Sequence, residues 1–400
     1  MQEGNKRNSI GMLGINVCFS ILSMFVSLFL IARIFIITGN DFVAVGLFTL
    51  VEITALMFAY LLASVLCKRI KAINVTRLAA VVACGFLFLT VFWSDGLYNY
   101  YLIFAGIWGV ALGLFWGGNN LLVAAVFKKE KTVNYMVWAH SLNTVTKILF
   151  PITFGLAIDY GSFLVTCIVV LIISIIQIIF AALIKTSEQP KSRLQMIKFF
   201  KRLKEKKFTR PAWSFCIITI CNGLAHTTAL CITIMIIFIH GTYTSLGFFS
   251  SIFGIASIVV LLLYNRMGNH KGKLYIVATI APVLASFLLF GGVIAVTVFI
   301  FQMVNSSFRR VLAVEEESTR LSMAKYWGGE EFTTESHMFY EFMLWVGRAI
   351  SCSIIILLGI FMATEIFFVM AVIFMVVACA LHGLLLLFWK KKYISALHKQ

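Results

Sequence analysis

Residues 185–210 read KTSEQPKSRLQMIKFFKRLKEKKFTR, a long polar stretch between two blocks of nearly continuous apolar sequence. The stretch holds ten Lys or Arg residues against two acidic ones, Glu188 and Glu205. So many charges cannot enter a bilayer, but they suit water beside anionic lipid headgroups. We interpret residues 185–210 as a basic cytoplasmic linker that joins an N-terminal half, residues 1–184, to a C-terminal half, residues 211–400.

The composition outside the linker is that of a membrane protein. Hydrophobic residues make up 61% of the 400 residues and charged residues only 12%, with a mean hydropathy of +0.98. Soluble domains carry about a quarter charged residues. The apolar runs last about twenty residues, which is the length that a helix needs to cross about 30 Å of hydrocarbon. The sequence therefore predicts an all-α integral membrane protein.

The sequence motifs do not indicate catalysis or metal binding. The nine cysteines lie in or beside apolar runs, without a CxxC pair and without a histidine at metal-ligand spacing. The sequence contains no Walker loop and no nucleophile elbow. We therefore expect no enzyme activity, no metal and no other cofactor, and we disfavour transport driven by ATP hydrolysis on this chain.

Apolar length and breaker residues divide the chain into twelve predicted spans, six in each half. The first is expected to be an uncleaved helix, since no small-residue cleavage site follows it. Gly291 and Gly292 alone mark the turn between the ninth and tenth predicted spans. The spans are 10–37, 42–66, 75–93, 98–126, 136–158, 162–184, 212–238, 243–264, 274–290, 293–312, 338–360 and 366–389.

The basic residues set the orientation, because basic loops stay cytoplasmic. With the N-terminus inside, the inner segments carry 30 of the 33 Lys and Arg residues, and the outer loops carry none. The outer loops hold Asp41, Asp95, Asp159 and Glu365 instead. Both termini are therefore predicted to be cytoplasmic. The net charge of +17 reflects this orientation and does not indicate a nucleic-acid partner.

Two turns 198 residues apart carry related sequences, ASVLCKRIK at 63–71 and LLLYNRMGNHK at 261–271. They resemble the G-x-x-x-D-R-x-G-R-K signature found in both of these turns in the major facilitator superfamily. With the topology of six plus six helices and a long basic central loop, the resemblance covers the whole chain. It implies gating roles for residues in both turns, namely Lys68, Arg69, Arg266, Gly268 and Lys271.

The match departs from the family pattern at several positions. Cys67 and Asn265 stand where the signature has its acidic residue, and Ala63 and Leu261 replace its first glycine. Leu102 lies near the place of the family's arginine in the fourth helix. The resemblance therefore implies the fold, two six-helix bundles that rock to expose a site between them to alternate sides. It does not by itself supply a proton relay.

Ionisable residues at bilayer depth are functional candidates by default, because each costs several kcal/mol unless it faces protein or water. His140 precedes Lys147 by seven residues, and Glu341 precedes Arg348 by seven. Seven residues return a helix to nearly the same face, so each helix presents a titratable group two turns from a midplane cation. These residues are either a substrate or coupling site or structural ion pairs. The intramembrane candidates are Arg33, Glu52, His140, Lys147, His226, Glu341, Arg348 and His382.

The family pairing of helices suggests partners for some of these charges. The second and eleventh helices meet in such folds, which would bring Glu52 within reach of Arg348 and could form a structural clamp between the bundles. The eighth helix offers Lys147 only serines. We therefore expect Lys147 to be uncompensated, and to bind an anionic ligand or lose its proton when unoccupied. The alternative is that Glu341 reaches it.

The fourth helix contains five glycines, which are best explained by close helix packing. Trp116, Asn119 and Asn120 are stronger candidates for the cavity or a gate, because two adjacent amides near a helix end require hydrogen-bond partners. His226 is either a cavity residue or a satisfied structural histidine. Arg33 either snorkels to the outer surface or attracts anions to the outer mouth.

The acidic run Glu315, Glu316 and Glu317, with Glu330, Glu331 and Glu335, precedes the eleventh helix. We expect the run to be solvated and to pair with the basic loops, holding the inward gate. His382 in the twelfth helix is expected to be peripheral.

The sequence as a whole predicts a secondary active transporter in the plasma (inner) membrane of a bacterium. We expect a monomer that moves a small solute with an anionic or zwitterionic group, coupled to a proton or another ion. Two alternatives stay open at this stage. One is an exporter of hydrophobic drugs or lipids with the same fold, and the other is a sensor or scaffold that kept the fold without transport.

Overall fold

The computed structural model describes residues 2–126, 129–185, 194–268, 271–328 and 332–394, and in these ranges all regular secondary structure is helical. The chain divides into two compact units. The first unit consists of Met1–Arg193 with His240–Ser251, and the second of Leu194–Ile239 with Ile252–Gln400.

The first unit is built from helices α1 to α7 and the first turns of α11. A π-helical turn, Val26–Leu30, joins α1 to α2, so that a continuous span runs from Arg7 to Ile37. The helices are α1 (Gln2–Phe25), α2 (Ile31–Ile37), α3 (Phe42–Leu66), α4 (Ala72–Phe92), α5 (Ser94–Val126), α6 (Lys129–Tyr160) and α7 (Phe163–Leu183).

The second unit contains α8 to α10, the rest of α11, and α12 to α15. A 3-10 turn, Ala225–Thr227, interrupts the span Thr209–His240 between α9 and α10. The helices are α8 (Met196–Leu203), α9 (Lys206–Leu224), α10 (Thr228–His240), α11 (Tyr243–Arg266), α12 (Lys271–Ser286), α13 (Ala295–Gly328), α14 (Thr333–Phe361) and α15 (Thr364–Trp389).

Eleven helices in the described part of the chain are long and apolar enough to cross a membrane. The predicted span at 293–312 is not among them. It forms the first half of α13, where Gln302, Asn305, Arg309 and Arg310 interrupt the apolar sequence. Eleven of the twelve predicted spans thus coincide with such helices, and the twelfth and the cytoplasmic termini stay predictions.

Glycines on α5 hold it against α3 in the first unit. A Cβ atom on Gly109 would lie 2.2 Å from the carbonyl oxygen of Glu52, and one on Gly113 would lie 2.3 Å from that of Leu56. Real Cβ atoms do not approach a backbone oxygen so closely, so only glycine fits at these positions. Gly109 and Gly113 of the fourth predicted helix are therefore packing residues, as helix association in membranes favours.

The start of α11 packs against α6 by a second set of small residues. A Cβ atom on Gly247 would lie 2.1 Å from the carbonyl oxygen of Pro151. The hydroxyl of Ser251 donates to the carbonyl of Ile148 at 2.6 Å. The carboxylate of Asp159 accepts from the first backbone N–H groups of α11, at 3.2 and 2.6 Å. Asp159 thereby caps the positive end of that helix.

The basic linker contains ordered structure in its second half. Helix α8 places the fully buried ring of Phe199 among Phe332 and Phe339, with ring centroids 6.1 and 6.0 Å away. In the same unit the indole N–H of Trp389 donates to the carbonyl of Pro211 at 3.2 Å. The linker therefore carries an apolar anchor beside its charges.

We predict that Gly113→Ala lowers the melting temperature of the purified protein, because overpacking a close helix contact costs about 1–3 kcal/mol. Gly85→Ala is the matched control, since Gly85 lies within α4 and a Cβ atom there meets nothing within 4 Å. Alanine is the better helix former by about 1 kcal/mol, so this variant is expected to melt no earlier than the wild type. Equal melting temperatures for both variants would contradict the packing described for α3 and α5.

Candidate functional site

At the 3-10 turn between α9 and α10, side chains donate to a backbone carbonyl that already accepts from the backbone N–H of Thr228. The carbonyl of Ala225, which is 2% exposed, accepts from Nη2 of Arg309 at 2.6 Å and from the hydroxyl of Thr228 at 2.6 Å. These two bonds add to the bond from the backbone N–H of Thr228 and tie α13 to the turn. They also bring an arginine of α13 to the middle of the interrupted span.

Helix α14 approaches the same break closely. A Cβ atom on Gly347 would lie 2.1 Å from the carbonyl oxygen of Ile220, and one on Gly223 would lie 2.4 Å from that of Leu344. The hydroxyl of Ser351 donates to the carbonyl of Leu224 at 2.7 Å and lies 2.5 Å from the hydroxyl of Thr227. The side chain that follows Gly347 on α14 is Arg348.

Arg348 is incompletely compensated in the second unit. Its Nη1 atom lies 3.9 Å from Oε2 of Glu341, at the limit of an ion pair. Its Nε atom is buried and has no hydrogen-bond partner among the described residues. Arg348 and Arg309 both interact electrostatically with His226 in the 3-10 turn. The site therefore brings two guanidinium groups, one histidine and one carboxylate to the break.

Three of these four residues, His226, Glu341 and Arg348, are among the candidates predicted from the sequence. The seven-residue spacing of Glu341 and Arg348 puts them on one face of α14, as predicted. Arg309 was missed. The signal that could have found it is a pair of adjacent arginines, Arg309 and Arg310, inside a predicted membrane helix.

A polar network extends from this site between α13, α14 and α15. Nε of Arg320 donates to Glu317 at 2.9 Å, and its Nη1 lies 2.7 Å from Nδ1 of His337. The same guanidinium lies 5.2 Å from the ring centroid of Tyr340. The hydroxyl of Tyr340 donates to Glu316 at 3.0 Å. Glu341 interacts electrostatically with Arg320 as well as Arg348, which links the network to the helix break.

The expectation that the acidic run is solvated is wrong for two of its three residues. Glu316 is 4% exposed, and its Oε2 atom lies 3.3 Å from Nε2 of His382, without the geometry of a hydrogen bond. Glu315 contacts Lys390 and the hydroxyl of Tyr264. His382 is itself 4% exposed, so it is not peripheral. Glu330 and Glu331 lie outside the described residues.

Glu335, the remaining acidic residue before α14, is also buried. Its Oε1 atom accepts from the backbone N–H of Gln195 at 2.8 Å. It therefore fixes the chain entering α8 and is not a solvated charge.

The second predicted gating turn connects to this network. Gly268 adopts a φ of +49°, which favours glycine, and Arg266 is exposed. The ammonium group of Lys271 lies 5.5 Å from the ring centroid of Tyr264, whose hydroxyl contacts Glu315. Burial raises the pKa of Glu315 above its ordinary value.

The first predicted gating turn follows α3 in the first unit. Cys67 takes the position of the family's acidic residue, and burial raises the pKa of its thiol to about 12. A neutral thiol therefore stands where a carboxylate is expected. Lys68 makes a polar or electrostatic interaction, whereas Arg69 is exposed.

The midplane candidates of the first unit differ from expectation in one respect. Lys147 makes a polar or electrostatic interaction within the described chain, so the prediction that it is uncompensated is wrong. Glu52 also makes a polar or electrostatic interaction. Its pairing with Arg348 stays a prediction. The side chain of His140 lies outside the described residues.

Asn119 belongs to a buried polar cluster at the α1–α5 contact. Its side-chain amide exchanges hydrogen bonds with that of Asn16, at 3.2 and 3.3 Å, and Asn16 also donates to the hydroxyl of Tyr135 at 2.6 Å. Burial raises the pKa of Tyr135. By contrast, Asn120 is exposed, and Trp116 is exposed with its edge against the rings of neighbouring phenylalanines. Asn16 and Tyr135 were not on the candidate list.

Arg33 lines a cavity of about 400 Å³ with residues of α4, α5 and α7, including Thr90, Tyr98 and Ser162. Its guanidinium lies 5.6 Å from the ring centroid of Phe163. The arginine is thus held over an aromatic ring at the edge of an open space, a cation–π arrangement.

The fold of the chain is similar to that of known proteins. The family model of the Major Facilitator Superfamily matches residues 10–312. No curated protein matches the sequence. A peptide transporter POT in complex with sulfate superposes with a TM-score of 0.73 at 10% identity, covering 99% of this chain and 95% of the other. The nucleoside transporter NupG superposes with a TM-score of 0.66 at 12% identity, covering 98% of this chain and 99% of the other.

A third similar structure is that of a bacterial homologue of the iron transporter ferroportin in an inward-facing state. It superposes with a TM-score of 0.68 at 13% identity, covering 98% of this chain and 100% of the other. At these identities the likeness shows a shared fold and carries no information on substrate.

We predict that Glu316→Ala destabilises the protein more than Glu317→Ala. The first change removes the carboxylate that accepts from the Tyr340 hydroxyl and lies 3.3 Å from His382, and an unsatisfied buried group costs about 1–3 kcal/mol. The second removes a carboxylate whose side chain is 54% exposed, where an ion pair contributes at most about 1 kcal/mol. Both residues lie on α13, so the helix-propensity change is the same. Thermal melting of the two variants checks this, and a larger loss in Glu317→Ala would contradict the assignment.

We also predict that Cys67 resists maleimide labelling at pH 7 in the folded protein. Because its pKa is raised to about 12, almost no reactive thiolate exists at that pH. A cysteine introduced at the exposed neighbouring position, Arg69→Cys, serves as the control and is expected to label readily. Labelling is read by mass spectrometry of the peptide that contains position 67. Similar labelling rates at the two positions would show that Cys67 is accessible.

Proposed function

Because the chain belongs to the major facilitator superfamily, we propose that this multi-pass membrane protein is a secondary active transporter. It moves a small solute by alternating access between two six-helix bundles, without hydrolysing ATP. We further propose that it works as a monomer in the plasma (inner) membrane, with the linker and both termini in the cytoplasm.

The single observation that supports a substrate class is the state of Arg348. A buried Nε–H group without a partner, beside a carboxylate at 3.9 Å, leaves part of the guanidinium free to bind a ligand. Arg309 adds a second positive charge, and α10 begins at Thr228 with the positive end of its helix dipole facing the same break. Guanidinium groups match carboxylates and phosphates in shape and charge. The substrate is therefore anionic or zwitterionic.

The coupling mechanism follows from competition for one cation. When Glu341 is ionised it neutralises Arg348, and when it is protonated the guanidinium is released to the substrate. Proton binding at Glu341 thus favours substrate binding at Arg348. The network through Arg320 and Tyr340 connects Glu341 to the pair Glu316 and His382, which offers the proton a route along α13 and α14.

The first unit supplies further groups in this proposal. Lys147 acts as a second cation for the substrate, while Glu52 and His140 change protonation between states. His226, Arg33, Trp116, Asn119 and Asn120 line or gate the substrate path. The turns with Lys68 and Arg69, and with Arg266, Gly268 and Lys271, control the cytoplasmic opening.

A thermal-shift screen of the purified protein against anionic, cationic and neutral metabolites tests the substrate class, because a ligand of the native state raises the melting temperature. We expect anionic compounds to stabilise the wild type. Arg348→Gln and Lys147→Gln are expected to lose at least about tenfold in apparent affinity, which corresponds to about 1.4 kcal/mol. Arg310→Gln is the matched control, since Arg310 is the exposed neighbour of Arg309 and carries the same charge.

Each variant is compared with its own ligand-free melting temperature, so a loss of stability is separated from a loss of binding. Arg348→Lys retains a charge and is expected to recover part of the response. Stabilisation by neutral or cationic compounds that is unchanged in Arg348→Gln would contradict the anion site and favour a drug or lipid exporter. Binding without uptake of the same compound into proteoliposomes would favour a sensor.

A further inference from the structure

A basic cavity in the first unit lies outside the proposed substrate site. It has a volume of about 490 Å³ and opens between the α3–α4 turn, the start of α4 and the end of α7. Its lining includes Arg69, Lys71, Arg77 and Lys185, with Asn74, and none of the described lining residues is acidic. Four cations around one cavity create a strong positive potential that favours a multivalent or phosphate-like anion.

Arg77 is the rigid element of this cavity. Its Nε donates to the carbonyl of Ala181 at 3.1 Å, and its Nη2 donates to that of Ile184 at 2.9 Å. Its Nη1 donates to the side chain of Asn74 at 3.2 Å. These three acceptors are neutral, so the positive charge is oriented but not cancelled. A guanidinium has five N–H donors, which leaves about two for a ligand.

The start of α4 adds to the same potential. Lys71 is the N-cap residue, its side chain does not cap the helix, and the first turn carries no acidic residue. The first backbone N–H groups of a helix and its dipole attract anions. Here they reinforce a cation cluster that already lines the cavity.

The depth of the cavity distinguishes between possible sources of the anion. The spans on either side end at Leu66 and Leu183 and begin at Ala72, so the cavity lies at the level of the lipid headgroups. Below it, apolar side chains on α4 and α7 are exposed along the bilayer, namely Leu78 at 43%, Val81 at 54% and Ile179 at 56%. A soluble anion would leave such an apolar surface uncovered, whereas the acyl chains of a lipid pack against it.

We propose that this cavity binds the phosphate of an anionic phospholipid headgroup, with the acyl chains lying along the exposed apolar faces of α4 and α7. The phosphate accepts from the free N–H groups of Arg77 and is surrounded by Arg69, Lys71 and Lys185. Basic cavities between membrane helices on the cytoplasmic side suit such headgroups. A bound lipid joins the start of α4 to the end of α7 and thereby stabilises the first unit.

The test compares phosphatidylglycerol with phosphatidylcholine, each added to the full chain in detergent, by native mass spectrometry and thermal shift. The variant is Arg69→Gln with Lys185→Gln, because neither side chain forms the bonds that hold Arg77. We expect the wild type to bind phosphatidylglycerol selectively. The double variant is expected to bind it about 25-fold more weakly, at about fivefold for each cation.

Lys273→Gln with Lys391→Gln is the matched control, since both residues are exposed, lie outside this cavity and remove the same charge. This variant is expected to bind phosphatidylglycerol as the wild type does. Equal weakening in both double variants would overturn the proposal by showing a nonspecific charge effect. Stabilisation of the wild type by inorganic phosphate to the same extent as by phosphatidylglycerol would also overturn it, in favour of a soluble anion.

Arg77→Lys provides a further variant that retains the charge but cannot hold both carbonyls, and it is expected to weaken binding as well.

Discussion

The arrangement of the second unit depends on the side-chain hydrogen bonds that meet at the 3-10 turn between α9 and α10. Hydrocarbon offers no donor to a backbone carbonyl, so every carbonyl at membrane depth must be satisfied within the protein. At the 3-10 turn of Ala225–Thr227 the carbonyl of Ala225 accepts from the backbone N–H of Thr228 and also from the side chains of Arg309 and Thr228. Because one donor is a charged arginine, this bonding also brings a positive charge to the centre of the span.

Close packing of glycines fixes which side chains meet at this break. Membrane helices gain little from the hydrophobic effect when they associate, so they depend on close contact between backbones. Gly223 and Gly347 allow α9 and α14 to approach at backbone distance. The residue after Gly347 is Arg348, and its position beside His226 follows from that contact. In the first unit, Gly109 and Gly113 perform the same role between α3 and α5.

The acidic run shows how a helix distributes neighbouring charges. Successive residues of a helix point about 100° apart, so three consecutive glutamates face three different surroundings. Glu315 meets Lys390 and Tyr264, Glu316 meets Tyr340 and His382, and Glu317 meets Arg320. Such a run can therefore join several helices at once, which a solvated loop cannot do. The network is continuous with Glu341 and through it with the proposed substrate site.

The amino-acid sequence by itself determined the membrane class and eleven of the spans, because hydropathy and length are local properties of the chain. The pair Glu341 and Arg348 was predictable for the same reason, since two residues seven apart on one helix share a face. Only the tertiary structure decided that Arg309 binds the carbonyl of Ala225, that His382 faces Glu316 and that Asn16 pairs with Asn119. The residues in each of these contacts lie far apart in the chain, and they meet only because small residues determine which helix faces can touch.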